Sequence, residues 1–231
     1  MEREWTNRIR FLMDECIPPI VRDSKWFMLP FFYVAYNRAN ARRMMNFKRE
    51  AYLLGEDGLS TFYRELNSSI SRRRITDLSE KMIKIIVHEV KLSKSVLDAG
   101  CGKGYLLSRI RETYPEIKTT GFDFSNVLLD KSIPFFEGNI SNIPFRNQSY
   151  DTVICTHTLE HVLDFDKCIN ELKRIAHRKL IIVVPKQRNY YYTLDEHLNF
   201  FPYKELLDKQ IGLTKSICDN VNGDWIYIGE L

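Results

Sequence analysis

The sequence predicts an α/β fold: a mostly parallel sheet with helices between its strands, a helical extension in front and an antiparallel hairpin at the C-terminal end. Three observations predict it. A strand, a glycine-rich turn and a helix start follow one another from Val96 to Tyr105. Segments of strand and helix periodicity alternate from about residue 76 onward, and Asn222-Gly223, between two β-favouring runs, is a strong hairpin signal. The length suits one α/β domain with an extension. With 44% hydrophobic and 28% charged residues the composition is that of an ordinary globular chain, and a formal charge of +4 is too small a bias to argue for nucleic acid or an anionic membrane. Five cysteines without a C-x-x-C pair fit a reduced, intracellular protein. The absence of a signal-type apolar region and of any run of ~20 apolar residues leads us to expect a cytoplasmic one.

Residues 1–75 read as a helical extension. Trp5, Ile9, Leu12 and Met13 fall on one helical face, which Pro18-Pro19 terminates. The aromatic run Trp26 to Tyr36 follows; it either packs the extension onto the core, lines an acceptor pocket, or touches a membrane peripherally, being too short to span one. Arg38, Arg42, Arg43, Lys48, Arg49 and Arg72-Arg73-Arg74 form a solvated face or meet a phosphate-bearing acceptor. Gly55 to Gly58 reads as a turn before an amphipathic segment that ends near Leu66.

Residues 76–231 form the core. Asp77 and Glu80 have capping-box spacing ahead of a stripe of Met82, Ile83, Ile86, Val87 and Val90. Val96-Leu97 reads as a buried strand and Leu106, Leu107 and Ile110 as the following helix, so Gly100, Gly102 and Gly104 lie where a strand hands over to a helix. There the backbone can lie against a ligand and helix N–H groups favour an anion. The spacing G-x-G-x-G disfavours a dinucleotide, whose fingerprint is G-x-G-x-x-G. Pro115 ends the helix. Lys118 to Asp123 then reads as a second strand, with Asp123 placed to meet ribose hydroxyls or else to cap a helix with Ser125. A third strand ends at Phe135–Ile140 and a fourth at Tyr150–Cys155. A helix spans Phe165–Ala176, a strand Leu180–Pro185, a helix Tyr203–Lys209, and the hairpin strands Lys215–Asp219 and Trp225–Ile228.

These residues resemble the class I S-adenosylmethionine (SAM)-dependent methyltransferases. The likeness rests on Asp98 before Gly100-x-Gly102-x-Gly104, on Gly138-Asn139, on Ile143-Pro144-Phe145 with Tyr150-Asp151-Thr152-Val153, on Leu159-Glu160-His161-Val162, and on His197-Leu198-Asn199-Phe200-Phe201. It implies a Rossmann-like, seven-stranded sheet closed by the hairpin, and SAM as cofactor. The cofactor contacts it implies come from Asp98, Gly100, Cys101, Gly102, Gly104, Asp123, Phe124, Asn139, Ile140 and Thr156. Asn139 could offer its amide to the adenine edge, or be an ordinary turn residue. Methylation of amino groups in DNA or glutamine is disfavoured, because the position of Asn/Asp-Pro-Pro-aromatic in those families reads Cys155-Thr156-His157-Thr158.

A hydroxyl acceptor must lose a proton, and His197, His157 and His161 are the candidate catalytic groups, with His197 first as general base. If His157, Glu160 and His161 opened a helix they would share one face and could bind a metal; they resemble the E-x-x-E-H of metal-dependent ubiquinone-pathway and small-RNA 2′-O-methyltransferases. With His157 in place of the first Glu the set suits Mg²⁺ poorly, so no metal is favoured. The stretch Asp14-Glu15, Pro18-Pro19, Arg22 to Ser24 and Trp26 to Pro30 resembles the extension of methyltransferases associated with surface polysaccharides. The expected function is therefore O-methylation of a sugar hydroxyl in a glycan or a nucleotide- or lipid-linked saccharide. The alternatives are a small aromatic or quinone-like hydroxyl and a catalytically silent SAM-binding protein. RNA is disfavoured by the mild charge.

Overall fold

The computed structural model describes residues 8–9, 11–65 and 74–231. Trp5, Leu66, Arg72 and Arg73, singled out above, lie outside them. Seven strands form one sheet in the order β3-β2-β1-β4-β5-β7-β6: β1 (Ser95–Ala99), β2 (Lys118–Asp123), β3 (Phe135–Glu137), β4 (Tyr150–Thr156), β5 (Ala176–Pro185), β6 (Lys215–Val221) and β7 (Asp224–Glu230). The first five run parallel, and β7 is antiparallel to both β5 and β6. Asn222 and Gly223 both take positive φ, as a two-residue hairpin of the twist-matching type requires. β5 begins at Ala176, four residues before the apolar run; Ala176 had been assigned to the preceding helix, but it pairs with Tyr150.

Helices cover both faces. Below we call α1 Pro19–Arg22, α2 Lys25–Met45, α3 Phe47–Glu65, α4 Glu80–Glu89, α5 Tyr105–Thr113, α6 Phe165–Ile175 and α7 Lys204–Ile211. α4 and α5 bury Met82, Ile83, Ile86, Leu106 and Ile110 against one face, while α6 and α7 bury Ile169, Leu172, Leu207 and Ile211 against the other. The cap of α4 is Ser79, whose Oγ accepts from Met82 N at 3.2 Å, and not Asp77, which is drawn into an ion pair with Arg74. No helix stands between β2 and β3, so Asp123 has none to cap; it accepts instead from Gly102 N at 2.8 Å.

The extension forms a third apolar cluster with the segment between β5 and α7. Met28, Phe32 and Tyr36, one helical turn apart on α2, are buried in it with Phe47, Phe62, Tyr190 and Leu198. The same helix leaves Trp26 and Val34 exposed, at 82% and 88%. Ile9 and Leu12 are exposed whereas Met13 is buried, because Leu12–Cys16 winds as a π-helical turn and loses the 3.6-residue register. The Gly55–Gly58 turn is a kink inside α3, located at Gly55 with φ 67°. Arg22 is a buried structural cation, donating to Asn189 O at 2.9 Å beside Asp14. Among the described residues all five cysteines are free, and no helix is long and apolar enough to cross a membrane.

Candidate active site

One cavity of about 1010 Å³ opens at the C-terminal ends of β1, β2 and β4. This is where an open α/β sheet binds ligands, because there the strands hand over to loops and helix N-termini. Asp98, Gly100, Cys101, Gly102, Asp123, Phe124, Asn139, Ile140 and Thr156 all line it. Gly104 does not. It turns behind the loop in a left-handed conformation to start α5, packed so closely on Leu128 that a Cβ would lie 2.5 Å from that side chain. Gly100 is similarly fixed, with φ 84° and room for a Cβ only 2.0 Å from Thr158 Oγ1, whereas a Cβ on Gly102 would meet nothing within 4 Å. The loop is thus closed toward the protein at its ends and open in its middle.

Two carboxylates lie beneath this loop. Asp98 is 2% exposed and its Oδ1 has no hydrogen-bond partner, so burial, reinforced by the charge of Asp123, pushes its acid up to about 7. α3 covers the far side. Glu56 accepts from Asn139 Nδ2 at 3.3 Å and from Ser141 Oγ at 2.5 Å, and Arg64 donates through Nε to Phe124 O at 3.2 Å and pairs with Glu137 at 2.7 Å. Asn139 also holds a turn through Ser141 N, so its Oδ1 is engaged at 2.9 Å.

The histidines separate. His157 takes φ 49° after β4, and Leu159–His161 is a 3₁₀ turn, so His157, Glu160 and His161 do not share a helical face as the metal reading required. Instead His157 Nδ1 lies 3.2 Å from Glu160 and its Nε2 3.4 Å from Asp224. Burial opposes its charge, but Asp224 and Glu160 outweigh this and raise the imidazole to about 10. Both ring nitrogens of His157 thus face carboxylates, so the structure places it in a buried ion pair and not on a shared helical face with Glu160 and His161. Glu160 is held low by the same pairing, against its own burial.

His161 and His197 meet edge to face, ring centroids 4.9 Å apart. The chain is stapled there: Leu198 N and Asn199 N donate to Glu160 O at 2.7 and 3.0 Å, and Asn199 Nδ2 donates to Leu159 O and Val162 O. His161 Nδ1 lies 3.1 Å from Glu196 O, so it must donate. His197 Nδ1 lies 2.6 Å from Gln187 Oε1, and Gln187 turns its amide nitrogen to Asp195, so this imidazole donates as well. In both rings Nε2 therefore carries the lone pair. Tyr36 OH donates to Glu196 Oε1 at 2.7 Å and Tyr63 OH to Glu196 O at 3.2 Å, tying the extension to this wall. Asp224, Gln187 and Glu196 were not singled out from the sequence; Asp224 alone had a local signal, following the hairpin's Asn-Gly pair.

None of Arg38, Arg42, Arg43, Lys48 or Arg49 lines the cavity, nor do Trp26, Phe27 and Phe31. Its aromatic lining includes Phe122 and Phe124 beside the glycine loop and Tyr36, Tyr63, Tyr190 and Tyr192 from the extension and the segment after β5, and its Lys and Arg lining comes from Arg64, Arg74 and Lys103.

Compared with known proteins, residues 97–184 match the family described as Methyltransferase domain. The chain is 26% identical over 168 residues to norajmaline N-methyltransferase of Rauvolfia serpentina, covering 67% of this chain and 54% of that protein. It is 26% identical over 134 residues to demethylmenaquinone methyltransferase of Thermotoga maritima, covering 55% of this chain and 58% of that one. The chain thus spans just over half the length of these curated relatives. Among solved structures, a chain of the Haloferax volcanii complex of the Trm112 methyltransferase activator with a methyltransferase superposes with a TM-score of 0.61 at 14% identity, over 74% of this chain and 96% of that one. The likeness at that identity is one of fold. The chain therefore carries a methyltransferase domain with the Rossmann-like architecture of the class I SAM-dependent methyltransferases.

Proposed function

We propose that the protein is a SAM-dependent O-methyltransferase acting on a sugar hydroxyl, and that residues 1–75 serve as its lid and acceptor-binding extension. The observation that carries the reading is that His161 and His197, each with Nδ1 bonded to a carbonyl oxygen, line the same cavity as the glycine loop.

The residues present fit SAM. Gly102 lines the cavity with room on its Cα, Asp98 Oδ1 is a buried acceptor with no hydrogen-bond partner, and Asp123, at the end of β2, would meet ribose hydroxyls. SAM supplies a methyl on a positively charged sulfur, which passes to a nucleophilic oxygen and leaves S-adenosylhomocysteine. Asp98 and Asp123 put negative charge beneath a cationic ligand. α3 excludes water from the loop side through Glu56 and Arg64. The His161–His197 edge is where the acceptor hydroxyl gives up its proton, and burial and the stapled 159–162 turn hold that edge still.

A saccharide acceptor is supported by tyrosine rings that can lie against sugar faces, with Gln187, Thr193 and Asp195 as hydrogen-bonding partners around them. The same tyrosines favour a second reading, a small aromatic hydroxyl, because Arg38, Arg42, Arg43, Lys48 and Arg49 lie outside the cavity and, of the described basic residues expected to meet a phosphate, Arg74 alone lines it. Exposed Trp26 and Val34 would give the protein a face for peripheral contact with a membrane carrying a lipid-linked acceptor.

The test is transfer of labelled methyl from SAM into cell extract separated into glycan and glycolipid, small-molecule, RNA and protein fractions. Label in the carbohydrate fraction, reduced at least about 100-fold by His197→Ala as removal of a proton-transfer group would do, supports the reading. Label confined to aromatic small molecules replaces it with the second reading, and saturable SAM binding with no label in any fraction makes the protein a silent SAM binder.

A further inference from the structure

We infer that Glu160, His161 and His197 form a binding site for a divalent first-row transition ion, open toward the acceptor side of the cavity. The potential ligand atoms of these three residues all lie within 4.8 Å of one another. Two further observations point to a ligand there. Glu160 is 1% exposed and its Oε2 has no hydrogen-bond partner, a buried acceptor for which the protein supplies no donor. An orphan of this kind is destabilising unless something outside the chain satisfies it.

The second observation is the outer support. Metal-binding imidazoles generally donate their other N–H to a carbonyl or carboxylate, which fixes ring orientation and tautomer. Here His161 does so to Glu196 O and His197 to Gln187 Oε1, which leaves Nε2 of each neutral ring as the lone-pair donor. Glu160 is braced in the same way, its Oε1 taken by His157 and its Oε2 left over. Asn199 and the two backbone bonds to Glu160 O lock the turn bearing Glu160 and His161 onto the segment bearing His197. Three separately supported donors thus converge from two stapled segments.

The donor set selects the ion. Two imidazoles and one carboxylate suit Zn²⁺, Mn²⁺, Fe²⁺, Co²⁺ or Ni²⁺, whereas Mg²⁺ and Ca²⁺ favour oxygen ligands. Three protein ligands leave coordination positions open, as in catalytic rather than structural sites. A hydroxyl bound there would lose its proton more easily, so the ion would strengthen the proton-removing role of this wall. The binding site itself stands on the three side chains, whichever acceptor is methylated.

The test titrates Co²⁺ into chelator-treated full-length protein, follows the visible d–d absorption, and then displaces Co²⁺ with Zn²⁺. One Co²⁺ per chain, a band lost with Zn²⁺, and affinity at least about tenfold weaker in His161→Ala and in His197→Gln would support the site, with His88→Ala, a surface change elsewhere, unaltered. No band in the wild type at Co²⁺ in large excess would overturn it, as would a band unchanged in both variants. Circular dichroism checks that each variant folds; should His161→Ala fail, the comparison rests on His197→Gln and the wild-type stoichiometry. SAM binding measured by calorimetry on the same preparation reads out the methyltransferase function separately, so loss of one reading leaves the other decidable.

Discussion

Asp98 is the residue whose chemistry is most exposed to test. Its folded value of about 7 lies above the ordinary aspartate range because burial disfavours its charge and Asp123 adds to the effect. The folded state then holds a proton that the unfolded state releases, so stability is greatest below the ordinary aspartate range and falls as pH rises toward 7. The thermal midpoint of the ligand-free protein is expected to decline over that interval, and Asp98→Asn to flatten the decline; scanning fluorimetry from pH 4.5 to 8 measures both. A cationic ligand beside Asp98 reverses the penalty. SAM affinity should therefore strengthen as pH passes 7 in the wild type and change much less in the variant. Asp98 and Asp123, expected from the sequence as cofactor contacts, both line the cavity because a glycine loop after a strand fixes where its neighbours go. The sequence could not mark the pairing of His161 with His197, 36 positions apart, because the Asn199 bonds that bring them together are tertiary. Nor could it show that His157 faces Asp224, since a positive φ at a non-glycine residue reverses the direction a helical reading assigns.

At the scale of elements, α3 borders the cavity. Its second half hangs from Gly55, whose φ of 67° interrupts the helix, and it is fastened by Glu56 to Asn139 and Ser141 and by Arg64 to Phe124 O and Glu137. All four of these partners lie on or beside the loops after β2 and β3. Arg64→Ala removes the clamp at one edge while leaving the buried Phe62 packing in place. Stopped-flow measurement is expected to show SAM released several-fold faster, with an unfolding midpoint in urea nearly unchanged, because the pair is largely exposed. Sequence reading located the Gly55–Gly58 break but read it as a turn. A glycine with positive φ can bend a helix without ending it, and only packing shows which occurs. Strand boundaries were most legible where turn chemistry was explicit, as at Asn222-Gly223, and least where a helix runs directly into a strand, as at Ala176.

For the whole molecule, large apolar clusters among the described residues lie on each face of the sheet and between the extension and the 186–203 segment, and a smaller fourth one of Cys101, Leu107, Leu128 and Ile133 lies behind the glycine loop. The division near residue 75 expected from composition cuts across the third cluster, whose buried members Tyr190 and Leu198 come from the core's own chain. Sheet and hairpin are tied to the site by the buried His157–Asp224 pair. Asp224→Asn leaves a buried imidazolium short of a counter-charge and is expected to cost about 3–5 kcal/mol. Urea unfolding of the variant measures it, and a loss below about 1 kcal/mol would show the pair to be dispensable.

The position of β7 has a further consequence for how the protein comes into being. It is the last of the seven strands in the chain, yet it lies between β5 and β6 and brings Asp224 to His157. During synthesis this pair must wait for that strand, so a nascent chain stalled before residue 224 has the glycine loop but only Glu160 to balance His157 behind it. Nascent chains of that length are expected to be cut by protease faster than chains that have completed the β6–β7 hairpin, and limited proteolysis of stalled ribosome complexes measures the difference.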